Sequence, residues 1–254
     1  MSEEFNERFS DFDLRPELLR AIEKKGFERP MPVQTAVLRD DTLMDNDLIV
    51  QAKTGSGKTL AFALPLLNVI DENERTPQVI ILSPTRELAQ QTAREFAWLG
   101  SELGVKTTAL VGGLDMERQI RSLRDGAAAV VGTPGRILDH IRRGTLKTDN
   151  IKSVVLDEGD HMLDMGFRDE MEAILQAMEG AERTWLFSAT MPPEVLSLTK
   201  QYLNAPKRIS LVSDVTSHSD ITQKAYIIPS RRRFEGLTNV LLWENPSRSL
   251  LFCG

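Results

Sequence analysis

Ala52-Lys53-Thr54-Gly55-Ser56-Gly57-Lys58-Thr59 follows a short apolar run, Leu48-Ile49-Val50, and opens a helical pattern that reaches Ile70. Strand, glycine-containing turn, Lys-Thr and helix is the order that a phosphate-binding loop needs. Gly55 and Gly57 allow backbone N–H groups to turn inward around an anion, and the helix that follows adds the positive end of its dipole. Lys58 can reach the outer phosphates of a nucleotide, and the Thr59 hydroxyl can hold Mg²⁺. Ala52 stands where the general pattern has its first glycine. A plain Gly/Ser/Thr turn with a chance Lys-Thr pair would look similar, so context decides. The expected ligand is a purine triphosphate.

That context is a doubly wound α/β chain with a mainly parallel sheet. Apolar runs of strand length recur at 48–50, 79–82, 107–111, 127–131, 154–156 and 184–187. They are almost continuously apolar, as expected for parallel strands covered on both faces. Amphipathic patterns lie between them at 87–103, 115–124, 137–143, 169–178 and 194–203. Ligands of such sheets bind beyond the carboxyl ends of the strands. The polar residues obey that rule. The second run is followed by Ser83-Pro84-Thr85-Arg86, the third by Gly112-Gly113 and the fourth by Gly132-Thr133-Pro134-Gly135-Arg136. Asp157-Glu158-Gly159-Asp160 follows the fifth and Ser188-Ala189-Thr190 the sixth. One such loop is ordinary turn composition; six in register point to one functional edge.

Two adjacent acids at a buried strand end suit nucleotide hydrolysis. We assign Asp157 to the metal and Glu158 to the attacking water. Ahead of the loop, residues 1–46 read as a helical prelude, with one amphipathic segment from Asp13 to Lys25. Pro30 and Pro32 then fix an extended stretch that presents Gln34 at the start of the next helix. Its amide can pair with one edge of adenine, although a solvated helix residue would carry the same side chain.

The 254 residues are 41% hydrophobic and 27% charged, an ordinary globular balance, and no stretch of 18 apolar residues occurs. The N-terminus is too charged for a secretory signal. Cys253 is the sole cysteine, which suits a reducing cytoplasm, and the three histidines lack metal-ligand spacing. Net charge is −6, so nucleic acid would have to be gripped at a localised site.

Taken in order, Ala-x-Thr-Gly-Ser-Gly-Lys-Thr, Pro-Thr-Arg-Glu-Leu-Ala, Gly-Gly, Thr-Pro-Gly-Arg, Asp-Glu-x-Asp and Ser-Ala-Thr resemble the motifs of the DEAD-box RNA helicases, and Phe9 with Gly26 to Gln34 resembles that family's adenine-sensing Q motif. The resemblance covers residues 9 to about 210. It implies the first of two RecA-like lobes of a P-loop NTPase, ATP and Mg²⁺ as cofactors, and RNA as activator and substrate. By position it implies that Phe9, Phe27, Arg29 and Gln34 recognise the base, and that Thr54, Gly55, Ser56, Gly57, Lys58 and Thr59 hold phosphates and metal. Asp157, Glu158 and Asp160 would be catalytic with Lys58, and Ser188 and Thr190 would couple hydrolysis to strand separation. Pro84, Thr85, Arg86, Gly113, Thr133, Gly135 and Arg136 would line the RNA backbone path. Such contacts read no bases, so the expected RNA binding is sequence-tolerant.

The chain departs from the family pattern at Gly159, usually Ala, and at Met31, usually Thr. Residues 47–212 form the expected ATP-binding domain, 213–220 the linker, and 221–254 a truncated opening of the second lobe, with a helix at 237–243 and a strand at 249–253. The expected protein is a cytoplasmic monomer with no membrane partner, whose isolated first lobe has little activity. A DNA-directed or other P-loop ATPase, and a nucleotide-gated interaction module without catalysis, are the alternative readings.

Overall fold

The computed structural model describes residues 6–40, 42–211, 222 and 224–252. They fall into two compact units that meet in sequence at Val212 and Ser213. The first unit is built on a seven-stranded sheet: β1 (Leu48–Gln51), β2 (Val79–Leu82), β3 (Thr107–Leu110), β4 (Ala129–Gly132), β5 (Ser153–Asp157), β6 (Arg183–Ser188) and β7 (Lys207–Ser210). Every pairing is parallel, and the spatial order is β3-β4-β2-β5-β6-β1-β7. β2, β4 and β5 are buried at every residue, whereas the edge strands β3 and β7 alternate. Continuous apolar runs therefore mark the centre of the sheet and mixed ones its margins.

Because strand side chains alternate, each strand feeds two cores. Val50, Val79, Ile81, Val155, Trp185 and Phe187 face α1 (Pro16–Lys24), α2 (Pro32–Leu38), α3 (Lys58–Val69) and α4 (Arg86–Leu99). Ile49, Ile80, Leu82, Val154, Leu156 and Leu186 face α6 (Pro134–Arg142), α7 (Gly159–Asp164), α8 (Arg168–Ala177) and α9 (Pro193–Tyr202), with Leu123 from α5 (Met116–Arg124). The N-terminal residues join the first core: Phe9, Leu18, Ile22, Val33 and Val37 are all buried in it. They are an integral layer of the sheet domain rather than a separate prelude.

Three expectations need correction. The helix expected over 87–103 stops at Leu99, and after Gly100 a 3-10 turn (Ser101–Leu103) follows. α7 was not foreseen. In the second unit α10 (Arg233–Glu244) exceeds the expected helix, but the described residues 249–252 form no strand. A strand needs a partner for its backbone groups, and that unit offers none among its described residues. The proposed linker lies outside the described residues.

Candidate nucleotide and RNA-facing site

The strand order brings β5, β6 and β1 side by side, so their carboxyl ends deliver Asp157, Ser188 and the phosphate loop to one place. Leu156 sits beside Leu186 and Asp157 beside Phe187, while Gln51 is level with Ser188. The loop is anchored from the sheet: the Ala52 N–H donates to the Ser188 carbonyl at 3.0 Å. Gly55 and Gly57 have φ of +77° and +88°, a conformation that side chains disfavour, so these two positions need glycine. Lys58 is buried and its ammonium donates back to the Ala52 carbonyl at 3.0 Å, inside its own loop. Thr59 is half-buried on the first turn of α3.

Gln34 is 4% exposed, and both ends of its amide are engaged. Nε2 donates to the Gly57 carbonyl at 3.1 Å, and Oε1 accepts from the Met31 N–H at 2.8 Å. These bonds fix the amide orientation and leave one N–H and one lone pair for a ligand. Phe9, expected to recognise the base, is 3% exposed and lies in the core instead; its N–H donates to the Glu28 carbonyl at 3.4 Å. Phe27 is the exposed aromatic of the set, meeting Trp98 edge-on at 6.4 Å between centroids. Arg29 is exposed and donates to Asn6.

Asp157 is buried where β5 ends, and that burial pushes its carboxyl up to about 7; Lys58 opposes the shift, while Glu158 and Glu95 add to it. Glu158 has φ +56°, a left-handed conformation rare for a side-chain-bearing residue, and heads α7. Such strain collects at functional sites. Its carboxylate lies 3.4 Å from His161 Nδ1. Asp160 ties α7 to the end of β6. Its Oδ2 accepts from the Thr190 N–H at 2.9 Å and the Thr190 hydroxyl at 2.7 Å, and its own N–H donates to Ser188 Oγ at 3.2 Å. Ser188 Oγ in turn donates to the Thr190 carbonyl at 2.8 Å. Burial would raise the Asp160 carboxyl, but bonds from Thr190 and Ser188 outweigh it and hold it below the usual range. Gly159 is buried on the first turn of α7, where an added methyl would collide with the Leu186 side chain.

The other half of the edge, beyond β2, β4 and β3, carries an open cleft of about 580 Å³. Pro84, Thr85, Arg86, Thr133, Gly135 and Arg136 line it together. Thr85 caps α4, its hydroxyl accepting from the Leu88 N–H at 3.2 Å; Thr133 heads α6 and makes no cap bond. Gly113, at φ +76°, does not line the cleft; a side chain there would collide with the Arg86 guanidinium. Its neighbour Gly112 lines it instead, as do Met165 and Phe167, which sequence reasoning missed because they follow a helix that was not foreseen. A further cleft of about 640 Å³, bordered by Asp47, Glu182 and Thr184, includes none of the expected site residues.

Residues 31–198 match the family model described as DEAD/DEAH box helicase. The ATP-dependent RNA helicase DeaD of Klebsiella pneumoniae is 40% identical over 98% of this chain and 39% of its own length. The DEAD-box ATP-dependent RNA helicase CshA of Bacillus subtilis is 38% identical over 96% of this chain and 49% of its own length. The chain thus spans about two fifths to half of the curated relatives it matches. A crystal structure of a DEAD box protein from Methanococcus jannaschii superposes with a TM-score of 0.74 at 40% identity, covering 92% of this chain and 63% of that one.

Proposed function

Because this chain belongs to the DEAD/DEAH box helicase family, we propose that it is the ATP-binding lobe of an RNA-dependent ATPase that separates short RNA duplexes together with a second lobe. The observation that carries this reading is one hydrogen-bonded path. It runs from the phosphate loop at Ala52 to Ser188, and from Ser188 and Thr190 to Asp160, two residues beyond Glu158. A change at the phosphates can move along it to α7, whose C-cap Met165 borders the open cleft. The relatives named as RNA helicases favour RNA over DNA as that cleft's ligand and lend no support to a DNA-directed enzyme or a non-catalytic module.

The residues fit MgATP. The positive-φ glycines form a cradle, and a buried acid faces a buried lysine across it. Thr59 and Asp157 would hold Mg²⁺, which when bound neutralises phosphate charge. Lys58 leaves its carbonyl partner for the outer phosphates, Gln34 keeps an N–H and a lone pair for the base edge, and Phe27 offers an exposed ring face. Glu158 accepts the proton of the attacking water. Arg86, Arg136, Thr133 and the α6 N-terminus at Gly135 receive the RNA backbone. Residues 221–254 begin the second lobe, the chain acts as a monomer, and its single cysteine suits the cytoplasm. The test is ATP turnover with and without RNA, measured on this chain and on one continued through a complete second lobe. We expect RNA stimulation in the longer chain and its loss in Glu158→Gln; RNA-independent turnover in both would refute the reading.

A further inference from the structure

We propose that Ser83 is a positioning residue of the magnesium site: its hydroxyl donates a hydrogen bond to the Asp157 carboxylate and fixes the orientation in which that group receives the metal. The inference rests on the reading of Asp157 as the metal-holding acid. Ser83 is 0% exposed, and among the described residues its Oγ has no hydrogen-bond partner. A buried hydroxyl without a partner is costly, and an alanine would fill nearly the same space without that cost. Packing alone therefore gives this oxygen no use.

The sheet shows what stands beside it. Leu82 of β2 is level with Leu156 of β5. One step further along the two strands come Ser83 and Asp157. The Ser83 N–H still donates to the Gly132 carbonyl of β4 at 2.9 Å, so the backbone has not yet left the sheet. Pro84 holds the residue before it extended as well. Side chains alternate along a strand, and Ile81 and Val155, two residues back, both lie in the core that α3 and α4 cover. Ser83 and Asp157 consequently share that face, on strands about 4.8 Å apart. Ala52 of the phosphate loop lies in the same core, and the Lys58 charge acts on Asp157. Ser83 does not line the open cleft, so its hydroxyl belongs to the nucleotide half of the edge. Rotation about the Cα–Cβ bond moves the hydroxyl between staggered positions without disturbing the backbone, so the bond can form as the carboxylate turns to the metal.

The experiment is calorimetry of ADP binding to this chain, once with excess MgCl₂ and once with excess EDTA. For Ser83→Ala we expect about three- to tenfold weaker binding of MgADP, the same affinity as the parent in EDTA, and a ligand-free melting temperature no lower than the parent's. The ratio of the two affinities cancels any general loosening of the nucleotide site. Asp157→Asn should lose most of the magnesium dependence, and adding Ser83→Ala to it should change nothing more, because the two side chains act as one unit. Parental MgADP affinity in Ser83→Ala overturns the proposal. Equal weakening with and without magnesium also overturns it, since a packing defect acts on both, and so does a weakening that persists beside Asp157→Asn. In those cases the magnesium dependence lost in Asp157→Asn leaves the metal reading standing. If Asp157→Asn keeps the parent's full magnesium dependence, the assignment of the metal to Asp157 falls, and the role of Ser83 with it.

Discussion

Along the β5–β6–β1 half of the loaded edge, the polar groups are buried and occupied. Lys58 and Gln34 both hold the phosphate loop's own carbonyls, Asp157 is driven toward its neutral form, and Asp160 is saturated by Ser188 and Thr190. Along the β2–β4–β3 half, Arg86 is exposed and Arg136 half-buried, and among the described residues neither has a carboxylate at ion-pair distance. The first half is a set of internal bonds that a ligand must exchange for its own. The second is open and ready for a polyanion. Buried charge is costly unless partnered, so under the proposed function the buried half is suited to a specific, switch-like nucleotide site and the solvated half to sequence-tolerant binding.

The largest expected effect that could break this contrast comes from Lys58→Ala. Losing charged hydrogen bonds of about 1.5–3 kcal/mol should weaken MgADP binding roughly 10- to 100-fold by calorimetry, with oligouridylate binding unaffected. A similar loss of RNA affinity would mean that the two halves are not separate.

Asp157→Asn sharpens the contrast through pH. The carboxyl titrates near 3.8 in the unfolded chain and at about 7 in the fold. Below pH 4 both states hold the proton and the native state keeps the full benefit. Stability is lost as pH rises through 7, because the unfolded chain ionises freely and the buried group resists. The Asn variant lacks that loss. Its unfolding free energy relative to the parent should therefore climb between about pH 4 and 7 and level off above, by an amount on the order of 4 kcal/mol. A pH-independent difference would show that Asp157 is not buried in this way. A parallel Arg136→Ala series should show no such climb.

Gly113→Ala tests the open half. A left-handed backbone costs a side chain about 1–2 kcal/mol, and the methyl would also displace Arg86. We expect melting to fall by a few degrees and RNA binding to weaken, with MgADP affinity retained. The smallest effect belongs to Gly159→Ala. Better helix propensity, worth about 0.5–1 kcal/mol, opposes the push on Leu186, so RNA-stimulated turnover should change less than tenfold. A larger change would show that this backbone position is tuned.

Most of the fold could be read from the chain because buried parallel strands announce themselves as apolar runs. β1 to β6 fall on the six expected runs, while the edge strand β7 lies beyond them. α7 could not be read so. Six residues are too few to display a helical period, and Glu158 and Asp160 look like a charged turn. Missing that helix hid Met165 and Phe167. The bond from Gln34 to Gly57 was equally invisible, since the partners are 23 residues apart in sequence and no local pattern pairs them. What sequence told correctly was which residue types gather at the edge; what it could not tell was which already hold one another.

Because α7 is a single short rod of six residues, it works as a ruler between the acid that heads it and the thioether that follows it. Its length is about 9 Å, set by backbone hydrogen bonds rather than by side-chain reach. Inserting one residue would swing the following turn by about 100° and aim Met165 away from the cleft that Arg86 and Arg136 line, without altering the phosphate loop or Gln34.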